Sequence, residues 1–528
     1  MERPRKKLVD NSVVRTQSGE LDGQWNFDRT VCVFRGVPYA KPPLGALRWR
    51  PPQPPEIWSG VRPAYIFGPR CIQPNRPHHA VGYFGPEAES EDCLTLNIWT
   101  STPSRSARLP VMVWFHGGAF LVGSGALPLF EGSMLARRGA VVVTINYRLG
   151  RLGFLCHPVL SAEQPWRSSG NYGLLDQIAA LEWVRDNIDA FGGDPGCVTI
   201  FGQSAGSSAV SQLMSSKLAK GLFHRAIGQS GGSFFSGTLA SLEQAEQAGL
   251  KFAEKIGATS LDELRTRAAR DIQFIQPDDG NRMKDVYDAA DPKGIDKRTA
   301  WAVIDGHVVH KPLRDTFAHG IQNDLPLLTG SNADEGSTQP AITELAEFQR
   351  RARADWGAIA ESYLHHFSAH SDAEAELASR RAIGTRIFNW ENWTWANFQA
   401  QTGRNPVFFY HFAHVPPKPQ SDQGGDLSRY LGAFHTAEIP YIFQTLTARS
   451  WPWSGADRDL SDMMAAYWIN FAASGDPNGL GLPFWPRYMP ETATAAIFDN
   501  GMSVDKVPDL DILRFWQSVD SSLRTKAA

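Results

Sequence analysis

A serine between two glycines is the residue of this chain best placed to act as a nucleophile. An apolar, β-branched run at 198–201 leads directly into the pattern Gly202-x-Ser204-x-Gly206, and a segment of small residues follows. We therefore predict a strand, a sharp turn and a helix, with Ser204 at the apex. Glycine at both flanking positions permits so tight a turn. The helix directs its positive end at the serine hydroxyl, which the turn exposes to a neighbouring base.

Candidate bases come from the histidines that follow Ser204 in the chain. A serine hydroxyl reacts at neutral pH with a histidine beside it and an acid that orients the histidine. His435 lies in a loop of small residues after a glycine-rich stretch, and His414, after a predicted strand, is the alternative. His365 and His366 fall in a helical segment and are expected at the surface. His224 is expected to be structural.

Two neighbouring carboxylates are candidates for the orienting acid. An apolar strand beginning at 327 is followed by a polar turn that contains Asp334 and Glu335. In hydrolases with this type of serine turn, the acid lies between the serine and the histidine in the chain. Both residues satisfy that order, and the residue types alone do not choose between them.

Backbone amides for stabilising a negatively charged oxygen are predicted at two places. Gly117 and Gly118 follow an apolar strand, and small residues allow backbone N–H groups to approach a developing oxyanion closely. Ala205, at the start of the helix after the serine, is expected to add its own N–H. A plain turn is the alternative explanation for the two glycines, and their position after a strand, upstream of the serine, favours the oxyanion role.

The strands and helices around these residues alternate along the chain. Apolar strands are predicted at 109–115, 140–147, 198–203, 225–230 and 407–412, with helices at 133–136, 173–184 and 510–516. This alternation predicts a doubly wound α/β fold with a large, mostly parallel sheet flanked by helices. Such sheets bind ligands beyond the carboxyl ends of their strands, so Gly118 and Ser204 are expected to share one edge.

The region from about residue 340 to 400 is predicted to be helical and contains clustered aromatic residues. Most of these side chains are expected to pack over the core, and one or two to line the substrate cavity. The candidates for that wall, in this region and elsewhere, are Trp390, Trp393, Phe120 and Phe434.

Composition excludes several classes of partner. The chain has 528 residues, of which 42% are hydrophobic and 20% charged, with a formal net charge of -3. These values are ordinary for a globular protein and favour neither nucleic acid nor an anionic membrane as a partner. No apolar run reaches membrane-spanning length, and no signal peptide is visible, so we expect a cytoplasmic protein, with a secreted form whose leader has been removed as the alternative. The five cysteines are widely spaced, which argues against a disulfide framework or a zinc site.

Further motifs, taken in order, make the chain resemble the type-B carboxylesterases, a family that includes bacterial para-nitrobenzyl esterases, liver carboxylesterases and cholinesterases. The resemblance covers nearly the whole chain and rests on motifs at 34–40, 47–49, 90–99, 116–120, 146–148 and 191–206. It implies an α/β-hydrolase fold forming one domain over 1–528, with the helical region around 340–400 as a cap. It also implies a serine carboxylesterase acting on a small-molecule ester without metal or organic cofactor.

The same resemblance assigns the roles that the residue types leave open. It implies Glu335 as the acid, His435 as the base, and Gly118, Ala119 and Ala205 as the oxyanion donors. It further implies a disulfide between Cys71 and Cys93. Ser230 resembles a serine that forms hydrogen bonds near the acid and the base.

Two departures from the family pattern bear on the substrate. Gln203 occupies the position before the nucleophile that is usually glutamate, which weakens any preference for cationic substrates and makes Gln203 a candidate substrate contact. The loop between Cys71 and Cys93 contains Tyr83 and Phe84 but no choline-stacking tryptophan, which argues against a cholinesterase. Lipase, amidase and carbamate hydrolase activities use the same triad, and a binding module without catalysis is the alternative from another class.

Overall fold

A computed structural model describes residues 12–74, 88–273, 297–418 and 431–527 of the chain. The strands are β1 Val13–Arg15, β2 Glu20–Asp22, β3 Gln24–Trp25, β4 Cys32–Pro38, β5 Val61–Pro63, β6 Thr95–Thr100, β7 Leu109–Phe115, β8 Val141–Ile145, β9 Gly193–Gln203, β10 Arg225–Gln229, β11 Ala240–Ser241, β12 Val303–Ile304, β13 Leu327–Asn332, β14 Val407–Phe412, β15 Thr494–Phe498 and β16 Met502–Lys506.

The α-helices in these ranges are α1 Ser133–Arg137, α2 Gly150–Phe154, α3 Pro158–Ala162, α4 Tyr172–Asn187, α5 Ala205–Ser215, α6 Leu242–Lys255, α7 Leu261–Thr266, α8 Ala269–Gln273, α9 Leu313–Ala318, α10 Leu345–Trp356, α11 Ala360–His366, α12 Asp372–Gly384, α13 Trp390–Thr402, α14 Ile439–Ile442, α15 Gly455–Ser474 and α16 Leu510–Ala527.

One large sheet organises the part of the chain that the structure describes. Its eleven strands there run in the order β16-β15-β14-β13-β10-β9-β7-β8-β6-β4-β3. The strands from β8 across to β15 are parallel, and antiparallel pairs occur only toward the two edges. The predicted doubly wound, mostly parallel α/β fold is therefore confirmed.

Strand β7 is the point at which the winding of the sheet reverses. The chain passes from β7 to β8 on one side and then to β9 on the other side. Ligands of open α/β sheets bind in the crevice that this reversal leaves beyond the carboxyl ends of the strands. The glycines after β7 and Ser204 after β9 both lie at that crevice, as the order of strands along the chain predicted.

Side chains of the central strands pack alternately into two hydrophobic layers. In β7, Val111 and Val113 face one layer, whereas Met112 and Trp114 face the other. This alternation follows from the two-residue repeat of a strand. Helices α4 and α5 cover the first layer and α15 covers the second. Burial on both faces explains why these strands are continuously apolar in sequence.

A fully buried ion pair fixes α4 to the end of β8. The Arg148 side chain donates to both carboxylate oxygens of Asp176 at 2.8 and 2.6 Å, and both residues are at most 2% exposed. Replacing Asp176 by asparagine leaves an uncompensated buried cation, so we expect the free energy of unfolding to fall by about 3–5 kcal/mol. Urea unfolding followed by tryptophan fluorescence measures this loss.

The matched control for that variant is an exposed ion pair at the end of the same helix. Arg185 and Asp186 are in contact at 2.7 Å, but both side chains are well exposed. Asp186→Asn is expected to change the free energy of unfolding by less than about 1 kcal/mol. Equal losses of unfolding free energy in Asp176→Asn and Asp186→Asn would contradict the claim that burial makes the first ion pair important for stability.

The helical region is present as predicted, and the closing helix is present but longer than predicted. Helices α10 to α13 occupy 345–402, and the closing helix runs to Ala527 rather than 516. The additional turns after residue 516 are also amphipathic, and the prediction did not include them. Trp390 and Trp395 of α13 are completely buried. Among the described residues, no helix is long and apolar enough to cross a membrane.

The disulfide implied for Cys71 and Cys93 is absent from the structure, where both are free, buried thiols. Their side chains are hydrogen-bonded, and this contact, together with burial, raises the pKa of Cys93. The loop residues Tyr83 and Phe84 lie outside the described residues.

Candidate active site

Ser204 occupies a strained turn between β9 and α5, as predicted. Its backbone has φ 59° and ψ -124°, a conformation that ordinary residues rarely adopt. A methyl group at Gly202 would lie 2.6 Å from the Gly206 carbonyl carbon, and one at Gly206 would collide with the Phe115 carbonyl oxygen. Both glycines are therefore required for the elbow to pack against β7. Ser204 itself is 9% exposed.

The predicted acid and base are hydrogen-bonded to each other. Glu335 Oε2 lies 2.5 Å from His435 Nδ1. The second oxygen, Oε1, accepts a hydrogen bond of 2.7 Å from the Asn332 backbone N–H, which holds the carboxylate in place. With Nδ1 donating to the acid, His435 Nε2 carries the lone pair that a base needs. Of the two candidate carboxylates, the structure thus brings Glu335 to the histidine.

The alternative residues have other partners. Asp334 is exposed, and its carboxylate accepts a hydrogen bond of 2.8 Å from the Ala433 N–H, so it stabilises the loop that contains His435. His414 Nε2 lies 2.9 Å from Asp457, in a contact that includes Tyr441 and lies away from Ser204. His365 and His366 end α11.

Gln203 lies between the histidine and the elbow. Its side-chain amide nitrogen is 3.3 Å from His435 Nε2 and also donates to the His435 carbonyl oxygen. Within the described ranges, Ser204 Oγ forms no hydrogen bond with His435. The acid–base contact is therefore formed, whereas the contact between base and nucleophile is not formed in this conformation. Catalytic hydrogen bonds commonly close only when substrate binds.

Three backbone amides near the serine have no protein acceptor in the described residues. The N–H groups of Gly118, Ala119 and Ala205 donate to no acceptor in the described parts of the chain. Gly118 and Ala119 have φ values of 110° and 57°, so the chain turns sharply after β7 and presents successive amides on one side. A methyl group at Gly117 would lie 3.0 Å from Ser204 Cβ, which shows how closely this turn approaches the elbow.

The turn after β7 is fixed by a stacked histidine and tyrosine. The rings of His116 and Tyr147 lie 4.5 Å apart, and the Tyr147 hydroxyl donates to the His116 carbonyl oxygen at 2.8 Å. Burial lowers the pKa of His116 to about 4, so this histidine is neutral at physiological pH. It therefore positions the amides rather than exchanging protons.

A loop that follows β10 forms another wall beside the serine. A methyl group at Gly231 would contact the Ser204 backbone, and the Gly231 N–H donates to Asn392 Oδ1 at 2.7 Å. The Glu391 carboxylate accepts the N–H groups of Phe234 and Phe235 at 2.6 and 3.2 Å. Helix α13 thus holds this loop at three backbone amides. Neither Glu391 nor Asn392 was predicted, because their partners are more than 150 residues away in the chain.

A second buried carboxylate lies near the acid. Glu438 accepts hydrogen bonds from Asn332 Nδ2 at 2.7 Å and Gln229 Nε2 at 3.1 Å and is completely buried. Burial raises the pKa of Glu438 to about 8, and the nearby Glu335 adds to the rise. Glu438 is consequently protonated at neutral pH, so it adds no negative charge of its own near the histidine. Its position three residues after His435 was the available sequence signal.

Glu438 makes stability depend on pH in a defined direction. Its pKa is about 8 in the folded chain, against an ordinary value of 4.5 for a glutamate carboxyl. Between these values the folded chain holds a proton that the unfolded chain has lost. The stabilisation is thus complete below about pH 4.5 and is lost as the pH rises to about 8. We therefore compare the free energy of unfolding of Glu438→Gln with that of wild type at two pH values. We expect the difference, variant minus wild type, to be higher at pH 8.5 than at pH 5 by a few kcal/mol.

Urea unfolding of both proteins at the two pH values measures that difference. Any constant cost of the altered hydrogen bonds cancels in the comparison. An equal stability difference at pH 5 and pH 8.5 would contradict a raised pKa for this carboxyl.

The predicted substrate contacts are mostly deep in the core. Phe120, Gln203, Ser230 and Trp390 are completely buried, and Phe434 is 1% exposed. Phe120 packs on Trp301 and Trp390 packs on Phe235, whereas Trp393 is 9% exposed. As substrate contacts all six stay predictions. Phe388 was not predicted at the site, yet its ring lies 4.0 Å from the His435 ring.

Ser230 is completely buried, and its hydrogen bonds near the acid and the base, which the resemblance implied, stay a prediction. Its hydroxyl lies beside the Tyr410 hydroxyl, which is equally buried. Burial raises the pKa of Tyr410.

The fold and the arrangement at its edge define the class of α/β-hydrolases that use a serine nucleophile. Comparison with known proteins narrows the class. The sequence model of the carboxylesterase family matches residues 10–516. The chain belongs to the carboxylesterase family, whose named members hydrolyse carboxylic esters, and it is a carboxylic ester hydrolase.

Individual relatives resemble this chain over most of its length. The fumonisin B1 esterase of Sphingopyxis macrogoltabida is 38% identical over 491 residues, which are 91% of this chain and 85% of that protein. The para-nitrobenzyl esterase of Bacillus subtilis is 35% identical over 512 residues, 95% of this chain and 97% of that protein. A solved para-nitrobenzyl esterase structure superposes with a TM-score of 0.78 at 33% identity, covering 96% of this chain and 99% of that one.

Proposed function

We propose that Ser204 attacks the carbonyl carbon of an ester while His435 accepts its proton and Glu335 holds the histidine in the reactive tautomer. The tetrahedral intermediate collapses when His435 protonates the departing alcohol, which leaves an acyl group on Ser204. Water then attacks the acyl group with the same proton transfers in reverse. The hydrogen bond of 2.5 Å between Glu335 and His435 carries this proposal.

The three amides without protein acceptors support the second part of the mechanism. The N–H groups of Gly118, Ala119 and Ala205 stabilise the oxyanion as it forms, because preorganised donors need no rearrangement in the transition state. The strained backbone of Ser204 keeps its hydroxyl at the helix start, where the positive end of α5 favours negative charge.

The substrate is a small or medium-sized ester without a positive charge. Gln203 adds no negative charge beside His435, which disfavours cationic esters. Relatives named as a para-nitrobenzyl esterase and a fumonisin B1 esterase support esters of varied alcohols. We further propose that 1–528 forms a single catalytic domain acting in the cytoplasm, which five free cysteines suit.

Hydrolysis of a matched substrate set tests the proposal. We expect turnover of 4-nitrophenyl butyrate, with a burst of 4-nitrophenol equal to one per enzyme when deacylation is slow. Emulsified triglyceride and the corresponding anilide are expected to react far more slowly. Faster cleavage of the triglyceride or the anilide would favour a lipase or an amidase, and no cleavage of any would favour the binding module.

A further inference from the structure

One arginine of the helical region has its guanidinium against aromatic rings rather than against acceptors. Arg386 lies in the π-helical turn Thr385–Asn389 that joins α12 and α13. Its guanidinium carbon is 5.8 Å from the ring centres of Phe235 and Trp356 and 6.0 Å from that of Trp516. We call Arg386 and these three rings the Arg386 crevice.

Other arginines that are withdrawn from solvent have oxygen partners. Arg148 is bound to Asp176 at 2.6 Å, and Arg314 is bound to Asp520 at 2.7 Å. Arg386, by contrast, forms no hydrogen bond or ion pair with any residue that the structure describes. A guanidinium is permanently charged and carries five N–H donors, and contact with aromatic faces engages none of them, so they can donate to an acceptor from outside the chain.

Two acidic residues influence Arg386 without pairing with it. Burial lowers the pKa of Arg386. Tyr363, Glu391 and Asp355 act to raise it, but by less. Neither carboxylate reaches it as an ion pair in the described structure. Arg386, Phe235 and Trp356 are each half-buried, so part of each side chain faces solvent. Cation–π contact with three rings holds the guanidinium in place.

Two elements join the crevice to the active site. Phe235 belongs to the loop that begins beside Ser204 and is held by Glu391. Phe388, two residues after Arg386 in the same π-helical turn, packs on the His435 ring. π-Helical turns inserted between α-helices are frequently found at functional sites. The neutral side chain of Gln203 leaves no additional carboxylate charge there to repel an anion.

We propose that the Arg386 crevice binds an organic carboxylate, with the guanidinium fork on the two carboxylate oxygens and the aromatic rings against the hydrocarbon part. The inference rests on the proposed function, because ester hydrolysis supplies carboxylates from two sources. One is a free carboxylate carried elsewhere on the ester substrate, as in an ester of a dicarboxylic acid. The other is the acid released as product.

Two esters of equal chain length test the first source. Mono-4-nitrophenyl adipate ends in a carboxylate where 4-nitrophenyl hexanoate ends in a methyl group. We expect Arg386→Gln to raise KM for the adipate ester about tenfold and to change KM for the hexanoate ester less than about twofold. Arg381→Gln is the matched control, since Arg381 is exposed, paired with Asp509 and outside the crevice. It removes the same charge and should leave both KM values unchanged.

Calorimetric titration with free hexanoate tests the second source. If the product acid is the ligand, hexanoate binds wild type and Arg381→Gln, and Arg386→Gln weakens binding about tenfold. Thermal denaturation verifies that the variant is folded, and Arg386→Lys, which keeps the charge but loses the fork, serves if it is not. Unchanged adipate KM and unchanged hexanoate binding in the Arg386 variants would overturn the inference. Failure of wild type to hydrolyse either ester would instead overturn the proposed function.

Discussion

Replacement of Ser204 by alanine is expected to lower kcat for ester hydrolysis on the order of 10⁵- to 10⁶-fold. The hydroxyl is the atom that becomes acylated, and no neighbouring group replaces it, so the covalent route is lost. What remains is the stabilisation that the amides of Gly118, Ala119 and Ala205 give to direct attack by water. Steady-state assay with 4-nitrophenyl butyrate measures the loss, and thermal denaturation verifies that the variant is folded.

A second serine of the same helix provides the control. Ser211 is completely buried in α5, and its hydroxyl donates to the Ser208 carbonyl oxygen at 2.8 Å. Ser211→Ala removes the same atom from a site that does not contact the histidine, so activity within about twofold of wild type is expected. Substantial hydrolysis by Ser204→Ala, or comparable losses in the two variants, would contradict the assignment of the nucleophile.

Replacement of Glu335 by glutamine is expected to lower kcat about 10³- to 10⁴-fold, with little change in KM. The amide side chain can donate to His435 Nδ1 and thereby favours the tautomer in which Nε2 carries the proton. A histidine in that form cannot accept the Ser204 proton, although the site keeps its shape. The reduced rate is measured with the same aryl ester, and single-turnover kinetics locates the defect in acylation.

Asp334→Asn separates the two carboxylates that the residue types leave open. Asp334 supports the histidine loop through the Ala433 N–H, and the oxygen of asparagine can still accept that hydrogen bond. We expect its kcat to stay within a few-fold of wild type. A larger loss in Asp334→Asn than in Glu335→Gln would mean that the wrong carboxylate has been assigned.

The parts of the fold that the sequence predicts well are those governed by local physics. The strand before Ser204, the two glycines of its elbow and the helix after it are dictated by neighbouring residue types. The order of strands then explains why the turn after β7 meets this elbow. Closing helix α16 was underestimated, because its later turns are amphipathic with few large apolar residues.

Contacts between distant segments are where the sequence is least informative. The choice of Glu335 over Asp334 depends on how strand β13 ends, with Asn332 fixing one carboxylate oxygen. Gln203 contacts a histidine 232 residues away, and Glu391 holds a loop 156 residues upstream. An aromatic residue such as Trp390 looks the same in sequence whether it lines a cavity or fills the core. Only its exposed fraction in the structure shows which of the two it does.

Covalent labelling tests the central claim most directly. Wild-type protein treated with diisopropyl fluorophosphate should gain one diisopropylphosphoryl group, located by peptide mass spectrometry on Ser204, with loss of ester hydrolysis in proportion to labelling. Glu335→Gln should label far more slowly, because its histidine cannot accept the serine proton. A label on another residue that abolishes hydrolysis, or full hydrolysis after Ser204 is labelled, would contradict the account.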